Sequence, residues 1–296
     1  MFDLQFYIEQ KNLQINEAFE KIFQNFQSNE TLIEAMKYSL MADGKRLRPV
    51  LCLGAAEAVG GNPQDAIMAA CAIEMIHTYS LIHDDLPAMD DDGLRRGNPP
   101  CHIAFDEATA ILAGDALLTL AFEVLSAAST EGGDSAAKWL KIIQIIATAA
   151  GCKGMIQGQM LDIASEDCKL SVGELESMHS LKTGALIEAS LLCGALIADA
   201  GAHQKQLLKT YARNIGLAFQ VTDDILNVEG NPEVMGKATG TDQQHEKSTY
   251  PSILGLEVSK KIAQKLIRNA LQALEGFDNK AEPLRALAVY IVERKK

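Results

Sequence analysis

Two stretches of this sequence concentrate carboxylates at spacings suited to a hard cation. His83-Asp84-Asp85-Leu86-Pro87-Ala88-Met89-Asp90-Asp91-Asp92 places five aspartates within nine residues. They repel one another, and the C-terminal end of a helix is the wrong end for negative charge, so ordering the cluster calls for a neutralising cation. The second stretch, Phe219-Gln220-Val221-Thr222-Asp223-Asp224-Ile225-Leu226-Asn227, sets an aspartate pair inside the apolar pattern Leu217, Val221, Ile225, Val228. Burying such a pair without partners is costly. Oxygen ligands with few histidines or cysteines suit Mg²⁺ rather than zinc, and Mg²⁺ shares its shell with water and substrate phosphates. Alone, each stretch also reads as a solvated acidic surface. The basic clusters change the balance: Gly44-Lys45-Arg46-Leu47-Arg48-Pro49 gathers three cations at a helix break, and Arg95-Arg96-Gly97 follows the first acidic cluster. Arginine forks grip phosphate oxygens in pairs, while lysine supplies point charge. Carboxylates for metal plus separate cations imply two anionic groups, one bridged by metal and one bound directly. That is the constellation for joining two diphosphate-bearing substrates.

The elements that must position these groups are helical. Hydrophobic periodicity near 3.6 runs through most of the chain and no stretch shows sustained β alternation. It predicts helices near 4–26, 29–41, 47–59, 64–85, 106–129, 135–150, 172–200, 204–228, 250–275 and 281–294. Gly60-Gly61-Asn62-Pro63 marks one break, and Gly132-Gly133-Asp134-Ser135 another, with Asp134 or Ser135 as N-cap. Ser171-Val172-Gly173-Glu174 reads as a capping box. The loops at 86–101 and 230–250 carry more charge than a connection needs, and 230–247 is a candidate lid. The helices ending near 85 and 228 each carry an aspartate pair. If they face a common cavity, the carboxylates meet there, as in other helical metal sites. With no linker-like change in composition, residues 1–296 are expected to form a single all-α domain, a helical bundle around a central cavity.

Composition narrows the classes. The chain is 48% hydrophobic, enough for a sizeable core, and its net charge of −12 argues against a nucleic-acid partner. The six cysteines, at 52, 71, 101, 152, 168 and 193, match no zinc spacing and read as reduced thiols, which points to the cytoplasm. Met1-Phe2-Asp3-Leu4 shows no basic and apolar leader pattern, so no secretory signal is expected. The apolar run Ala185 to Ala202 contains Glu188 and Asp199 and reads as a buried core helix, so no membrane span is expected.

At this point the motifs match a known family. From about residue 30 to 294 the sequence resembles the short-chain trans-prenyl diphosphate synthases, most closely the bacterial farnesyl diphosphate synthases. The carrying motifs are GKRLRP (44–49), HTYSLIHDDLPAMDDDGLRRG (77–97), GDALLTLAF (114–122), GQMLD (158–162), KTGALIEAS (182–190), GLAFQVTDDI (216–225) and GKATGTDQQHEKSTYP (236–251). The resemblance implies an isoprenoid-synthase fold, a homodimer and three Mg²⁺ ions per active site. It implies that Asp84 and Asp90, with Asp85 in support, hold the metal that bridges to an allylic diphosphate, and that Asp223 and Asp224 hold a further one. Lys45, Arg48, His77 and Arg96 match the residues for isopentenyl diphosphate. Arg95, Lys182 and Lys237, with Lys247 alongside, match those for the allylic diphosphate. Thr183 and Gln220 match groups whose oxygens lie near the developing allylic cation.

One departure stands out. The second motif ends on Asn227 where the family has aspartate; an amide adds no charge, so Asp223 is expected to carry that site. Asp91 and Asp92 are expected to face solvent, and Gln159 and Asp162 to stand behind the first ligands. Tyr79 and Ser80, five and four residues before Asp84, should point down toward the cavity floor, where Tyr79 would stop a growing tail near C15. The alternatives are a geranylgeranyl diphosphate synthase with a deeper pocket, a terpene cyclase, which needs no GKRLRP or His77, and an inactive regulatory subunit of a heteromeric synthase.

Overall fold

Alanine and leucine favour helix throughout, and helices are what form. The computed structural model describes residues 2–26, 30–131, 136–166, 168–229 and 248–294. Among these the only β-type pairing is the isolated bridge between Arg95 and Asn98. In order the helices are α1 (Leu4–Phe23), α2 (Thr31–Leu40), α3 (Leu47–Ala58), α4 (Ile67–Asp84, preceded by a 3₁₀ turn at Pro63–Ala66), α5 (Cys101–Ala104), α6 (Glu107–Glu131) and α7 (Ala136–Ala150). They continue as α8 (Met155–Ala164), α9 (Val172–His179), a π-helical turn at Ser180–Gly184, α10 (Ala185–Ile197) and α11 (Ala202–Glu229). The last are α12 (Tyr250–Leu254), α13 (Leu256–Ala273) and α14 (Glu282–Glu293).

Local chemistry sets several boundaries. The Asp3 carboxylate accepts the Phe6 N–H and starts α1. The capping box at Ser171 and Glu174 is present with both bonds made and starts α9. The expected helix over 250–275 is split because Gly255, at φ 81°, leaves the helical region. The expected helix over 172–200 is interrupted by the π-turn. Two short helices, α5 and α8, escape the periodicity: α5 is a single turn, and Gly158 inside α8 weakens a ten-residue signal. The N-cap expected at Asp134 or Ser135 lies outside the described residues.

Three buried clusters hold the bundle. One joins α1, α2, α4, α6 and α7, the second joins α3, α10, α11, α13 and α14, and the third lies under α9, α11, α12 and α13. The core helix expected from Ala185 onward is α10: Leu186, Leu191, Cys193 and Ala195 are buried, and it packs against α3, α7 and α11. By length and composition alone, four helical stretches are long and apolar enough to cross a bilayer. In the bundle, 72% of the apolar window in Pro63–Asp84 is buried, but only 44% of that in Glu107–Ala128, so α6 keeps apolar side chains on its surface. All six cysteines are free thiols, four of them buried.

Candidate active site

A cavity of about 1170 Å³ opens between α3, α4, α6, α8, the π-turn and α11, and it collects most of the residues singled out from the sequence. On one wall stand Lys45, Arg48, Glu74, His77 and Arg96. The backbone is bent to bring them there. Arg46, at φ 44°, and Arg96, at φ 53°, are non-glycine residues in the left-handed region, a strain that persists only where surrounding contacts enforce it. Arg95 and Asn98 exchange two backbone bonds of 2.8 and 3.0 Å around Arg96-Gly97, both at positive φ, as in a mirror-image two-residue turn. The first basic motif meets this turn closely. A Cβ at Gly44 would lie 3.0 Å from the Arg96 guanidinium carbon, so glycine there lets the two basic motifs share a wall. Arg46 is spent on the fold: it donates to the Asn16 side chain and, at 3.0 Å, to the Leu40 carbonyl, and its guanidinium sits over the Phe19 ring. Lys45 rests over Tyr290, 5.0 Å from the ring centroid. Burial, with the charge of Arg96 added, lowers Arg48 to about 10, which leaves it a cation at neutral pH. Burial, then Arg48, Arg96 and Arg95, holds His77 well below its ordinary value, so its imidazole is neutral.

The acidic side divides between neighbours. Asp84 lines the cavity, and the Asp90 N–H bonds its carbonyl at 2.9 Å. Burial pushes the Asp84 carboxyl up to about 6; Lys182 and Arg95 pull it back, while Asp90 and Asp85 push it further. Asp85 instead turns behind the wall, where the Arg95 Nε donates to it at 2.8 Å. The Asp92 carboxylate also takes the Arg95 guanidinium, at 2.6 Å, so Asp91 is exposed as expected but Asp92 is paired. From α11, Phe219, Gln220 and Asp223 face the cavity, whereas Asn227 is not among its lining residues. Asp224 lies elsewhere too: its Oδ2 accepts the Tyr250 N–H at 2.9 Å and stands 3.9 Å from His179. Asp85 and Asp224 are thus not among the residues that line the cavity with Asp84 and Asp223.

Lys182 and Thr183 enter from the π-turn. The wider turn displaces them relative to the helices on either side, a device common at functional sites. Burial opposes the Lys182 charge, but Asp162 at 2.5 Å, with Asp84 and Asp90 beyond, holds its ammonium above its ordinary value. Gly158 makes this approach possible: a Cβ there would lie 2.1 Å from the Lys182 backbone nitrogen. The cavity is also lined by Tyr79, Ser80, His83 and Leu118, with Met155, Ile156, Gln159, Met160 and Ile163 of the unanticipated α8. Tyr79 is buried, its ring lies edge-on to His83, and its hydroxyl has no partner among the described residues. Ser80 donates to the His77 carbonyl of its own helix. Lys237, Lys247 and the candidate lid at 230–247 lie outside the described residues.

Arg294 and Glu74 also line the cavity and were not anticipated. Arg294 donates to Asp223 at 2.7 Å and to the Phe219 carbonyl at 3.1 Å, over the Phe219 ring. Nothing in the sequence near the C-terminal end announces it. Glu74 carried a signal, as the only acidic residue between Ile67 and Ile82 in an otherwise apolar pattern.

The donors suit magnesium. Among the described residues no three metal-ligating side chains gather at one point, which disfavours an all-protein cage. Mg²⁺ needs only one or two carboxylates when phosphates and water complete its shell. Asp84 of α4 and Asp223 of α11 line the cavity and meet that requirement; Asp90 is exposed and not among the lining residues, but it is near enough to add to the rise of the Asp84 carboxyl that burial mainly causes.

This helical bundle, with its divided acidic and basic walls, belongs to the polyprenyl synthetase family, whose model matches residues 29–288, and its activity is that of a short-chain prenyl diphosphate synthase. The chain is 49% identical to a farnesyl diphosphate synthase of Haemophilus influenzae, over 97% of both chains. It is 47% identical to the chloroplastic heterodimeric geranylgeranyl pyrophosphate synthase large subunit 1 of Arabidopsis thaliana, over 99% of this chain and 80% of that one. The solved structure of an FPP/GFPP synthase from Zymomonas mobilis superimposes with a TM-score of 0.86 at 39% identity, covering 98% of each chain.

Proposed function

We propose that the protein condenses isopentenyl diphosphate with dimethylallyl and then geranyl diphosphate, releasing diphosphate each time and stopping at farnesyl diphosphate. The observation that carries this reading is the position of Tyr79 in the same cavity as Asp84 and five residues before it on α4, so that a bulky ring stands below the diphosphate groups. Likeness to a farnesyl diphosphate synthase agrees with it. Likeness to geranylgeranyl synthases makes a C20 product the second reading.

The roles follow from the walls. Lys45, Arg48 and Arg96, with neutral His77, hold the isopentenyl diphosphate so that its double bond faces the cavity centre. Lys182 and Arg95 grip the allylic diphosphate. Magnesium held by Asp84 and Asp90 and by Asp223 would neutralise charge on that diphosphate as its C–O bond breaks. Thr183 and Gln220 offer oxygen dipoles to the allylic cation without a nucleophile that would trap it. The isopentenyl double bond attacks the cation, and the proton then lost passes to the departing diphosphate, a task we assign to no side chain among the described residues. Asp85 orients Arg95, and Asp224 anchors the chain at Tyr250.

We assign the protein to the cytoplasm as a homodimer with no membrane span and no nucleic-acid partner, in keeping with six free thiols and a net charge of −12. Incubation with isopentenyl diphosphate and dimethylallyl or geranyl diphosphate, with and without Mg²⁺, tests the reading by chain-length chromatography. Wild-type protein should yield C15 only when Mg²⁺ is present, and Tyr79→Ala should shift product toward C20. Unchanged C15 output from Tyr79→Ala would remove the role assigned to Tyr79, and C20 from the wild type would favour the second reading.

A further inference from the structure

Glu74 is an acidic side chain among the cavity's arginines. It is 1% exposed, yet neither carboxylate oxygen accepts a hydrogen bond from the described residues. Its nearest cation, the Arg96 Nη2, stands 3.9 Å away, beyond hydrogen-bond reach. The Arg48 Nε is likewise buried and without a partner. Buried polar groups left unmatched in this way are uncommon and call for an explanation. Solvation does not supply one, because the carboxylate is closed off from water. Direct contact with substrate does not either, because a diphosphate offers acceptors and would repel a carboxylate. What surrounds Glu74 is three guanidiniums, those of Arg96, Arg48 and Arg46, all of which stabilise its charge against burial. Arg46 is committed to Asn16 and Leu40. Burial first, and then the like charge of Arg96, loosen the hold of Arg48 on its proton. A carboxylate near both is the group that lets two such forks stay side by side with their remaining N–H groups turned to the cavity.

We propose that Glu74 is a positioning residue for the isopentenyl diphosphate site, a buried counter-charge that sets the spacing and aim of the Arg48 and Arg96 guanidiniums. The proposal rests on the assignment of that wall to isopentenyl diphosphate. Glu74 does not touch the substrate; it acts through the arginines, and its hydrogen bonds to them form as the diphosphate draws both forks inward. Placement on α4 suits this. Glu74 and His77 are three residues apart on one helix face, so the same rigid element fixes the counter-charge and a lining group.

The experiment is a steady-state comparison of Glu74→Gln, Arg48→Ala and the double variant, with KM measured separately for isopentenyl and geranyl diphosphate. Glu74→Gln keeps shape and removes charge. It should raise KM for isopentenyl diphosphate about tenfold or more, the effect of disturbing a buried charge-assisted contact, and leave KM for geranyl diphosphate within about twofold. Arg48→Ala should do the same, and the double variant should lose clearly less than the sum of the two single losses, because Glu74 works in part through that group. Glu74→Asp, with charge kept and reach shortened, should fall between wild type and Glu74→Gln; if Glu74→Gln does not fold, this variant must show the same selective rise. Equal losses for both substrates, or full additivity in the double variant, would mean a structural role and overturn the proposal. An unchanged isopentenyl KM in Glu74→Gln alongside a raised one in Arg48→Ala would overturn it while leaving the wall's assignment intact. An unchanged isopentenyl KM in Arg48→Ala would instead remove the assignment itself.

Discussion

Asp84 shows how one side chain ties the site to pH. Burial pushes its carboxyl up to about 6, above the value of about 4 of an unfolded aspartate. The folded chain therefore holds this proton between roughly pH 4 and 6 while the unfolded chain has released it. With the folded value raised, metal-free stability from this group is greatest below pH 4 and declines as pH climbs toward 6. A divalent cation needs the carboxylate, so binding below pH 6 must displace the proton. Mg²⁺ affinity should rise from pH 5 to 7 and level off above, and calorimetry at pH 5.5 in buffers of different ionisation heat should detect proton release that fades by pH 8. Asp84→Asn should abolish that release; if the variant releases protons as the wild type does, Asp84 is not the coupled group. The acidic clusters themselves were legible from residue type, but the roles of individual members were not. Adjacent residues on a helix point about 100° apart, and packing turns Asp223 to the cavity and Asp224 to the Tyr250 N–H. The same reasoning separates Asp84, which faces the cavity, from Asp85, which faces Arg95.

Elements carry the next level of control. The π-turn that bears Lys182 and Thr183 is held against α8, and the contact tolerates no side chain at position 158. A Cβ at Gly158 would fall 2.1 Å from the Lys182 nitrogen and 2.5 Å from its Cα, both backbone atoms that cannot swing aside. Gly158→Ala should thus cost about 1–3 kcal/mol of stability, as overpacking does, and shift Lys182 away from the allylic diphosphate. KM for geranyl diphosphate should rise or kcat fall, with KM for isopentenyl diphosphate nearly unchanged. Gly173→Ala is the control, since an added Cβ there meets nothing within 4 Å; it should be neutral or slightly stabilising. If thermal melts and kinetics place Gly158→Ala beside Gly173→Ala, the close approach has no consequence. This element was the least legible in the sequence. Periodicity read residues 172–200 as one helix because a π-turn inserts only a small phase change, and it passed over α8 because Gly158 interrupts ten residues. The capping box at Ser171 and the glycine break at 60–63 were legible, because each is fixed by neighbours in the chain. The split at Gly255 needed the structure: glycine permits φ 81° but does not require it.

At the scale of the whole molecule, the cavity's deeper end is left with apolar side chains at the surface. On α6, Leu112, Asp115 and Leu118 follow one another at three-residue steps, and Asp115 and Leu118 line the cavity. From α8, Ile156, Met160 and Ile163 line the same cavity. Leu112 is 59% exposed and Met160 56%, so this surface combines large apolar groups from two helices where a soluble monomer would place charge. A second copy of the chain is the occupant that the homodimer assignment requires. A stable interface buries on the order of 800 Å² per partner, and α6 supplies a continuous helical face for it. Leu112→Glu sets a charge in the middle of that face without entering either diphosphate wall. Sedimentation velocity should find wild-type protein as a dimer and Leu112→Glu shifted toward monomer. The cavity floor would then open to solvent beside Leu118 and Met160, so product length should lose definition even though ionisation at Asp84 and Lys182 is untouched. If Leu112→Glu stays dimeric with wild-type product, α6 is not the shared face, and the apolar surface on α8 must be covered by something else.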